Sequence, residues 1–433
     1  MDNKNKLLSE KDLWIIFVLF MLMLFSMYFP YSHTIAIGYQ MLVVAIELIL
    51  CRDNSWGIAV IVILNATREY IAVSTMDEFV TYYSLNGTIL LLFVLVLAAL
   101  KIYEKNWIMT IQPANAILLL FGLHLSISLI WVSNKDEYTA YFPVICAIYI
   151  VGYLALEKES AKKTGLLTFI FSGFFMAIGI IPYYLSRGSL VDLTALINGN
   201  GLLVDRNYQS LFLIICILSA VVFLKEYGKL CGIGLWILSI GALVADVFIV
   251  VVGASRSALL ALAMAVLVYI IVNAKSIGRN IIIILALAVV VLAAYNLGFL
   301  DSILARFAEG DVSSGNGRFD LWIMYMNEYE KGNIIQKIFG RGLIGKSIIS
   351  QPAHNLFVSV LFSFGVVGLF TFLCYCAAIV LRCLRDDKDI LTVFAPLMFM
   401  CCTLEPYYRI EFAAFASMLP VLLKSTERGE YDG

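Results

Sequence analysis

Long apolar blocks separated by short polar turns run along most of this chain. A helix needs about 20 apolar residues to cross a bilayer. Blocks of that order lie at 13–29, 35–51, 56–73, 87–103, 113–132, 138–156, 164–185, 208–224, 230–252, 255–273, 280–298, 354–381, 390–405 and 408–424. Asn65, Arg68 and Glu69 interrupt the third block, and the last two are closely spaced. The pattern predicts an all-α fold, a polytopic transmembrane helical bundle of about 12–14 spans. One stretch breaks the rhythm. Residues 299–353 are too long and too polar for a turn, and within them 318–330 reads as a short amphipathic helix carrying Trp322, Tyr325, Met326 and Tyr329 on one stripe. That stripe is expected to lie on the membrane surface or on the bundle. The chain therefore divides into N-terminal helices (1–204), helices carrying the first arginine motifs (205–298), the long loop (299–353) and C-terminal helices (354–433).

Composition strengthens this reading. Hydrophobic residues make up 62% and charged residues 14%, where a soluble domain carries about a quarter charged. The first block follows Lys4, Lys6 and Lys11 as a signal peptide would. However, Tyr28, Phe29, Pro30 and Tyr31 stand where small cleavage-site residues belong, so it reads as a retained helix. The net charge of -1 gives no reason to expect a nucleic-acid partner. All nine cysteines fall within spans or beside the inner face, so no structural disulfide is expected.

The distribution of cations sets an orientation. With the N-terminus cytoplasmic, one side receives eighteen Lys and Arg, from Lys4, Lys6 and Lys11 through Lys162, Lys225 and Arg385 to Arg428. The other side receives Arg68, Lys135, Arg187, Arg206, Arg256 and Arg409, and the long loop adds Arg306, Arg318, Lys331, Lys337, Arg341 and Lys346. Both termini are thus expected inside and the long loop outside. Eight of those twelve outer cations are Arg, whereas Lys outnumbers Arg thirteen to five inside. Guanidinium pairs with phosphate in a planar, bidentate way that an ammonium cannot. The bias points to an anionic ligand on the outer face, the alternative being arginines that snorkel to lipid headgroups.

Two motifs place such an arginine in the first turn of a helix, where it opposes the helix dipole unless an anion binds there. In Gly253-Ala254-Ser255-Arg256-Ser257, Ser255 can cap the helix that Arg256 opens. In Gly315-Asn316-Gly317-Arg318, Asn316 or a neighbouring glycine ends an irregular segment before Arg318. Asp205-Arg206-Asn207-Tyr208 adds a third arginine at an outer helix start. Pro352-Ala353-His354-Asn355 closes the loop, and His354, with an ordinary pKa near 6.5, suits a general base. His124 reads as a packed mid-span residue and His33 as a turn residue.

Gly340-Arg341-Gly342-Leu343-Ile344-Gly345-Lys346-Ser347 matches the G-x4-G-K-S phosphate loop in letters. That motif needs a strand, a helix and a Mg²⁺-holding carboxylate around it, and about 55 residues between membrane helices hold no such domain. The glycines are expected to make tight turns that return the loop to His354, with Arg341 a further candidate for the anion site. Glu309-Gly310-Asp311 resembles the D-x-D metal–diphosphate pair of many glycosyltransferases but, in a loop rich in Ser and Gly, is expected to be a solvated acidic turn. Glu405-Pro406-Tyr407-Tyr408-Arg409 is read as structural.

Taken in order, Asp-x-Asn-Tyr at 205–208, Ser-Arg-Ser-Ala-Leu-Leu at 255–260, Gly-Arg with a following Trp at 317–322, Phe-Gly-x-Gly at 339–342 and His-Asn at 354–355 resemble the O-antigen ligase and O-antigen polymerase family. The resemblance is specific over 205–380 and topological before that. It implies a metal-independent membrane glycosyltransferase in the cytoplasmic membrane, with no cofactor expected and its active site extracytoplasmic. The implied donor is a glycan on undecaprenyl diphosphate, and the acceptor a glycan or lipid-linked glycan. Candidate partners are membrane lipids, a chain-length regulator and a flippase. Carried onto this chain, Arg256 and Arg318 hold the diphosphate with Arg206 and Arg341 as further candidates. His354 activates the acceptor hydroxyl, and Ser255, Asn316 and Asn355 support them. Polymerisation of O-antigen, capsule or exopolysaccharide repeat units is the favoured reading, ahead of a ligase acting on the lipopolysaccharide core. A transporter of the same lipid-linked glycans ranks below both, because the arginines sit at the outer surface rather than at mid-membrane.

Overall fold

Away from water a backbone must satisfy its own polar groups, and an α-helix does so within one segment. The computed structural model describes residues 113–131, 159–186, 206–252, 255–296, 317–342 and 351–422, with further positions at 14, 15, 17, 18, 21, 46, 142, 145, 146, 148–150, 301, 304 and 349. Among the described residues there is helix and no strand. The expected spans at 35–51, 56–73 and 87–103, and all but a few positions of 13–29 and 138–156, lie outside them.

In chain order the helices are α1 (Pro113–Ser128), α2 (Glu159–Ser186), α3 (Arg206–Tyr227), α4 (Ile233–Val252), α5 (Arg256–Val272), α6 (Ile277–Asn296), α7 (Arg318–Glu330), α8 (Ile334–Phe339), α9 (Leu356–Arg385), α10 (Leu391–Cys401) and α11 (Ile410–Leu422). Asn207–Tyr227, Ile233–Val251 and Leu356–Arg385 are long and apolar enough to cross a membrane, and three further apolar helices are shorter. Two boundaries differ from the apolar pattern. α2 starts at Glu159 rather than 164, because Lys162 is drawn into the fold by an ion pair with Glu226 at 2.6 Å. α10 ends at Cys401 rather than 405, and the last residues of that block form the turn that carries Glu405.

α3 is the central element. It packs against α2, α4, α5, α10 and α11, and Leu211, Phe212, Leu213, Ile214, Ile215 and Cys216 are all buried. A helix apolar on every side belongs in such a place. α6, by contrast, leaves Ile281, Ile284, Leu285, Val289 and Leu292 exposed, as a lipid-facing helix would.

The helix ends separate into two polar regions. At one end Lys225 pairs with Asp387 at 2.9 Å and Asp389 at 2.8 Å, and Asn273 donates to Asp389. At the other, the Ser255 hydroxyl donates to Asn207 Oδ1 at 3.2 Å, Tyr208 and Tyr408 share a hydroxyl hydrogen bond, and Ser359 donates to the Tyr407 hydroxyl at 3.4 Å. The starts of α3, α5, α9 and α11 therefore meet at one end. Every sequence motif singled out above that falls within α3, α5 or α9 lies there.

α9 is not one continuous helix. Gly365 has φ 68 and ψ −168, which breaks it and frees carbonyls from their own ladder. The chain after α8 takes up two of them: the N–H groups of Arg341 and Gly342 donate to Phe362 O and Ser363 O at 3.4 and 2.8 Å. His124 Nε2 lies 2.8 Å from Phe364 O, so this histidine is the packed, hydrogen-bonded residue expected of it. Gly340 and Gly342 have φ 85 and 82, and a Cβ on Gly340 would stand 2.1 Å from Ser363 O. The glycines of the phosphate-loop lookalike thus turn the chain tightly against a broken helix.

Candidate functional site

The site end is built around one turn. Pro352–Asn355 leads into α9, and His354 in it has φ 49, the only positive φ at a non-glycine position among the described residues. Such a conformation costs about 1–2 kcal/mol in an L-residue, so surrounding contacts must hold it. Asn355 supplies one set: its side chain accepts from the N–H groups of Phe357 and Val358, capping α9. α7 supplies another. Trp322 Nε1 donates to Ala353 O at 2.8 Å, and the Tyr325 hydroxyl donates to Gln351 O at 2.9 Å.

α7 has the bounds its amphipathic pattern predicts, and it packs on the first half of α9, with the Tyr325 and Phe362 rings 5.0 Å apart. Of the expected stripe, Tyr325 is buried together with Leu321, whereas Met326 is 37% exposed and faces away. Gly317, at φ 77, occupies the N-cap, and Arg318 opens the helix with Asp320 in the same turn. Asn316 lies outside the described residues.

Arg256 opens α5 half-buried, with no acidic residue in that turn. Ser255 departs from expectation. It occupies the N-cap but makes no side-chain cap hydrogen bond, because its hydroxyl is committed to Asn207. That bond ties the Arg256 turn to the start of α3, which Arg206 opens.

Arg341 is placed differently. Its Nη2 donates to Glu328 O at 2.6 Å and its guanidinium lies 5.4 Å from the Phe362 ring centroid. Glu328 stands ten residues beyond Arg318, so Arg341 is anchored about 15 Å along α7 from that helix start. Arg409 is also taken into the fold, pairing with buried Glu411 at 3.1 Å and lying over the Tyr208 ring.

Glu405, which the sequence reads as structural only, sits against the His354 turn. It is 4% exposed. Burial pushes its carboxyl up to about 7, while the neighbouring Ser359 hydroxyl and the backbone of His354 and Ala353 pull it back. Burial, and then the Glu405 charge, likewise push the phenols of Tyr325 and Tyr407 up. The available sequence signal was one acid before a proline between two apolar helices. Glu309 and Asp311 lie outside the described residues.

Among the described residues the fold is all-helical and apolar, with the arginine-headed starts of α3 and α5 at the same end as the His354 turn and α7 tethered to that turn. Residues 241–373 match the family described as O-antigen ligase, which bears out the resemblance read from the motifs. The matched stretch contains Arg256, Arg318 and His354 and excludes Arg206 and Glu405. No curated protein matches the chain.

Proposed function

We propose that the protein transfers a glycan from undecaprenyl diphosphate on the outer face of the cytoplasmic membrane, without a metal and with inversion at the anomeric carbon. Arg256 and Arg318 hold the diphosphate, with Arg206 beside them. As the C1–O bond breaks, its electron pair leaves with the diphosphate. Fixed guanidinium groups and helix N-termini then stabilise the departing charge more than the ground state. The acceptor hydroxyl attacks C1 from the opposite face while His354 takes its proton, which gives inversion in one displacement. Arg341 serves by fixing the loop against α9. Both termini are cytoplasmic in this reading, and the favoured reaction is polymerisation of O-antigen, capsule or exopolysaccharide repeat units.

The supporting observation is the tethering of both arginine-headed helices to the end that carries the His354 turn: α7 through Trp322 and Tyr325, and α5 through Ser255, Asn207 and the neighbouring Tyr208–Tyr408 bond. A second reading, transfer to the lipopolysaccharide core, is favoured by the description of the matched family. Membranes supplied with undecaprenyl-diphosphate repeat units separate the two. Lipid-linked ladders that vanish in His354→Ala establish a polymerase, and product formed only when core is added establishes a ligase. No transfer by the wild type in either setting would instead favour transport of the lipid-linked glycan.

A further inference from the structure

A general base must be held within a fraction of an ångström of its productive position, and supporting groups usually do this. His354 stands on backbone that an L-residue adopts reluctantly, with φ 49. Beneath that turn lies a carboxyl group 4% exposed, with Oε1 lacking a hydrogen-bond partner among the described residues. The backbone of His354 and Ala353 and the Ser359 oxygen lie within hydrogen-bonding reach of it, the Ser359 proton going to Tyr407. We propose that Glu405 is a positioning residue for His354: its carboxylate accepts the N–H groups of the turn and fixes the left-handed backbone from which the imidazole projects.

Location supports this. Glu405 lies within electrostatic reach of Tyr208 on α3, Tyr325 on α7, and Tyr407 and Tyr408 in its own turn. Each of those phenols also has its own tether: Tyr208 to Tyr408, Tyr325 to Gln351 O, and Tyr407 to Ser359. The charged groups facing this cluster are Arg409, over Tyr208, and its partner Glu411. One buried acid therefore lies close to the turn bearing the proposed base, to the helix that Arg206 opens and to the helix that Arg318 opens. The backbone of His354 and Ala353 favours its ionised form, which therefore holds the turn more tightly than the protonated form.

The inference rests on the reading of His354 as the base, and the test separates the two. Full-length protein in detergent is compared as wild type, Glu405→Gln and Glu405→Ala, with Gln keeping the volume and an acceptor if Ala misfolds. The first readout is carbethoxylation of His354 by diethyl pyrocarbonate against pH, followed by peptide mass spectrometry with His124 as internal reference. A pH profile displaced in Glu405→Gln at His354 but not at His124 is expected. An unchanged profile overturns the proposal whatever the activity. The second readout is transfer. In Glu405→Gln, kcat falls about 10- to 100-fold with KM held, as for a slightly misplaced catalytic group. Equal loss of kcat and folded protein, or wild-type kinetics, overturns the proposal. A displaced His354 profile in a protein that transfers nothing leaves the positioning intact and sinks the transfer reading.

Discussion

Arg256 sits where a cation is ordinarily unwelcome, in the first turn of α5, half-buried and without an acid in that turn. The dipole makes this unfavourable by about 0.3–1 kcal/mol, a cost that a bound anion reverses. If the anion is a diphosphate gripped in bidentate fashion, charge alone does not suffice. Arg256→Lys is expected to lose transfer by at least about 10-fold despite keeping its charge. Arg256→Ala and Arg318→Ala are expected to abolish transfer with normal membrane insertion, measured as glycan ladders against immunoblot. Full activity in Arg256→Lys removes the bidentate argument. Glu405 makes a separate prediction about stability. Burial raises its pKa in the fold, so the folded protein holds that proton more tightly than the unfolded chain. Its contribution is present below the ordinary carboxylate value near 4.5 and is lost as pH rises through about 7. The change is on the order of 3 kcal/mol. Thermal unfolding in detergent is expected to come earlier at pH 8 than at pH 5 in the wild type, and Glu405→Gln should flatten that difference. A carboxylate that destabilises the fold when ionised, yet holds His354 in place, is the kind of trade found at functional sites.

At the scale of elements, the break in α9 sets where the loop goes. Gly365 frees carbonyls in apolar surroundings, and the tight turn at Gly340–Gly342 supplies N–H groups to two of them. A methyl at Gly340 meets Ser363 O at 2.1 Å on backbone with φ 85. Gly340→Ala is therefore expected to cost at least about 1–3 kcal/mol, read as a lower midpoint in detergent thermal unfolding. An unchanged midpoint would show that the loop does not depend on this approach. The elements differ in how far the sequence alone reveals them. The span from 208–224 and the helix at 318–330 were legible because their residue patterns are local, and both appear within a turn of expectation. α8 is legible too: Asn333 and Gln336 form a capping box, whose spacing stands openly in the sequence. Ser255 misled, since a serine before a helix reads as a cap and nothing nearby announces that Asn207 will claim its hydroxyl. Gly365 and Glu405 could not be read at all in this way. What gives each its meaning lies far off in sequence, at Ile338–Gly342 for one and at Tyr208, Tyr325 and His354 for the other.

At the scale of the whole molecule, the two polar ends make a prediction about sidedness. Lys162, Lys225 and Arg382 share one end with Asp387 and Asp389, and the His354 turn lies at the other. Cations dominate the loops assigned inside, and the positive-inside rule turns that bias into orientation. This orientation owes nothing to any family resemblance, because it follows only from Lys and Arg counts and the ends at which helices meet. Two exposed positions test it in a background without the nine cysteines. Lys331, just beyond α7, has a side chain 68% exposed, and Arg385, at the end of α9, one 76% exposed. On intact spheroplasts a membrane-impermeant maleimide is expected to label Lys331→Cys and to leave Arg385→Cys untouched until the membrane is opened. The reverse pattern puts the arginines and His354 in the cytoplasm. It would leave a donor displayed on the outer leaflet out of reach, and the transfer reaction would have to be abandoned with the topology. Labelling as expected leaves the acceptor as the open variable, because a site facing outward can meet either the next lipid-linked unit or a lipopolysaccharide core. Chelation then separates the chemistry from its metal-dependent rival: EDTA should leave the rate unchanged, whereas inhibition reversed by Mg²⁺ or Mn²⁺ would return Glu309 and Asp311 to consideration as a metal–diphosphate pair.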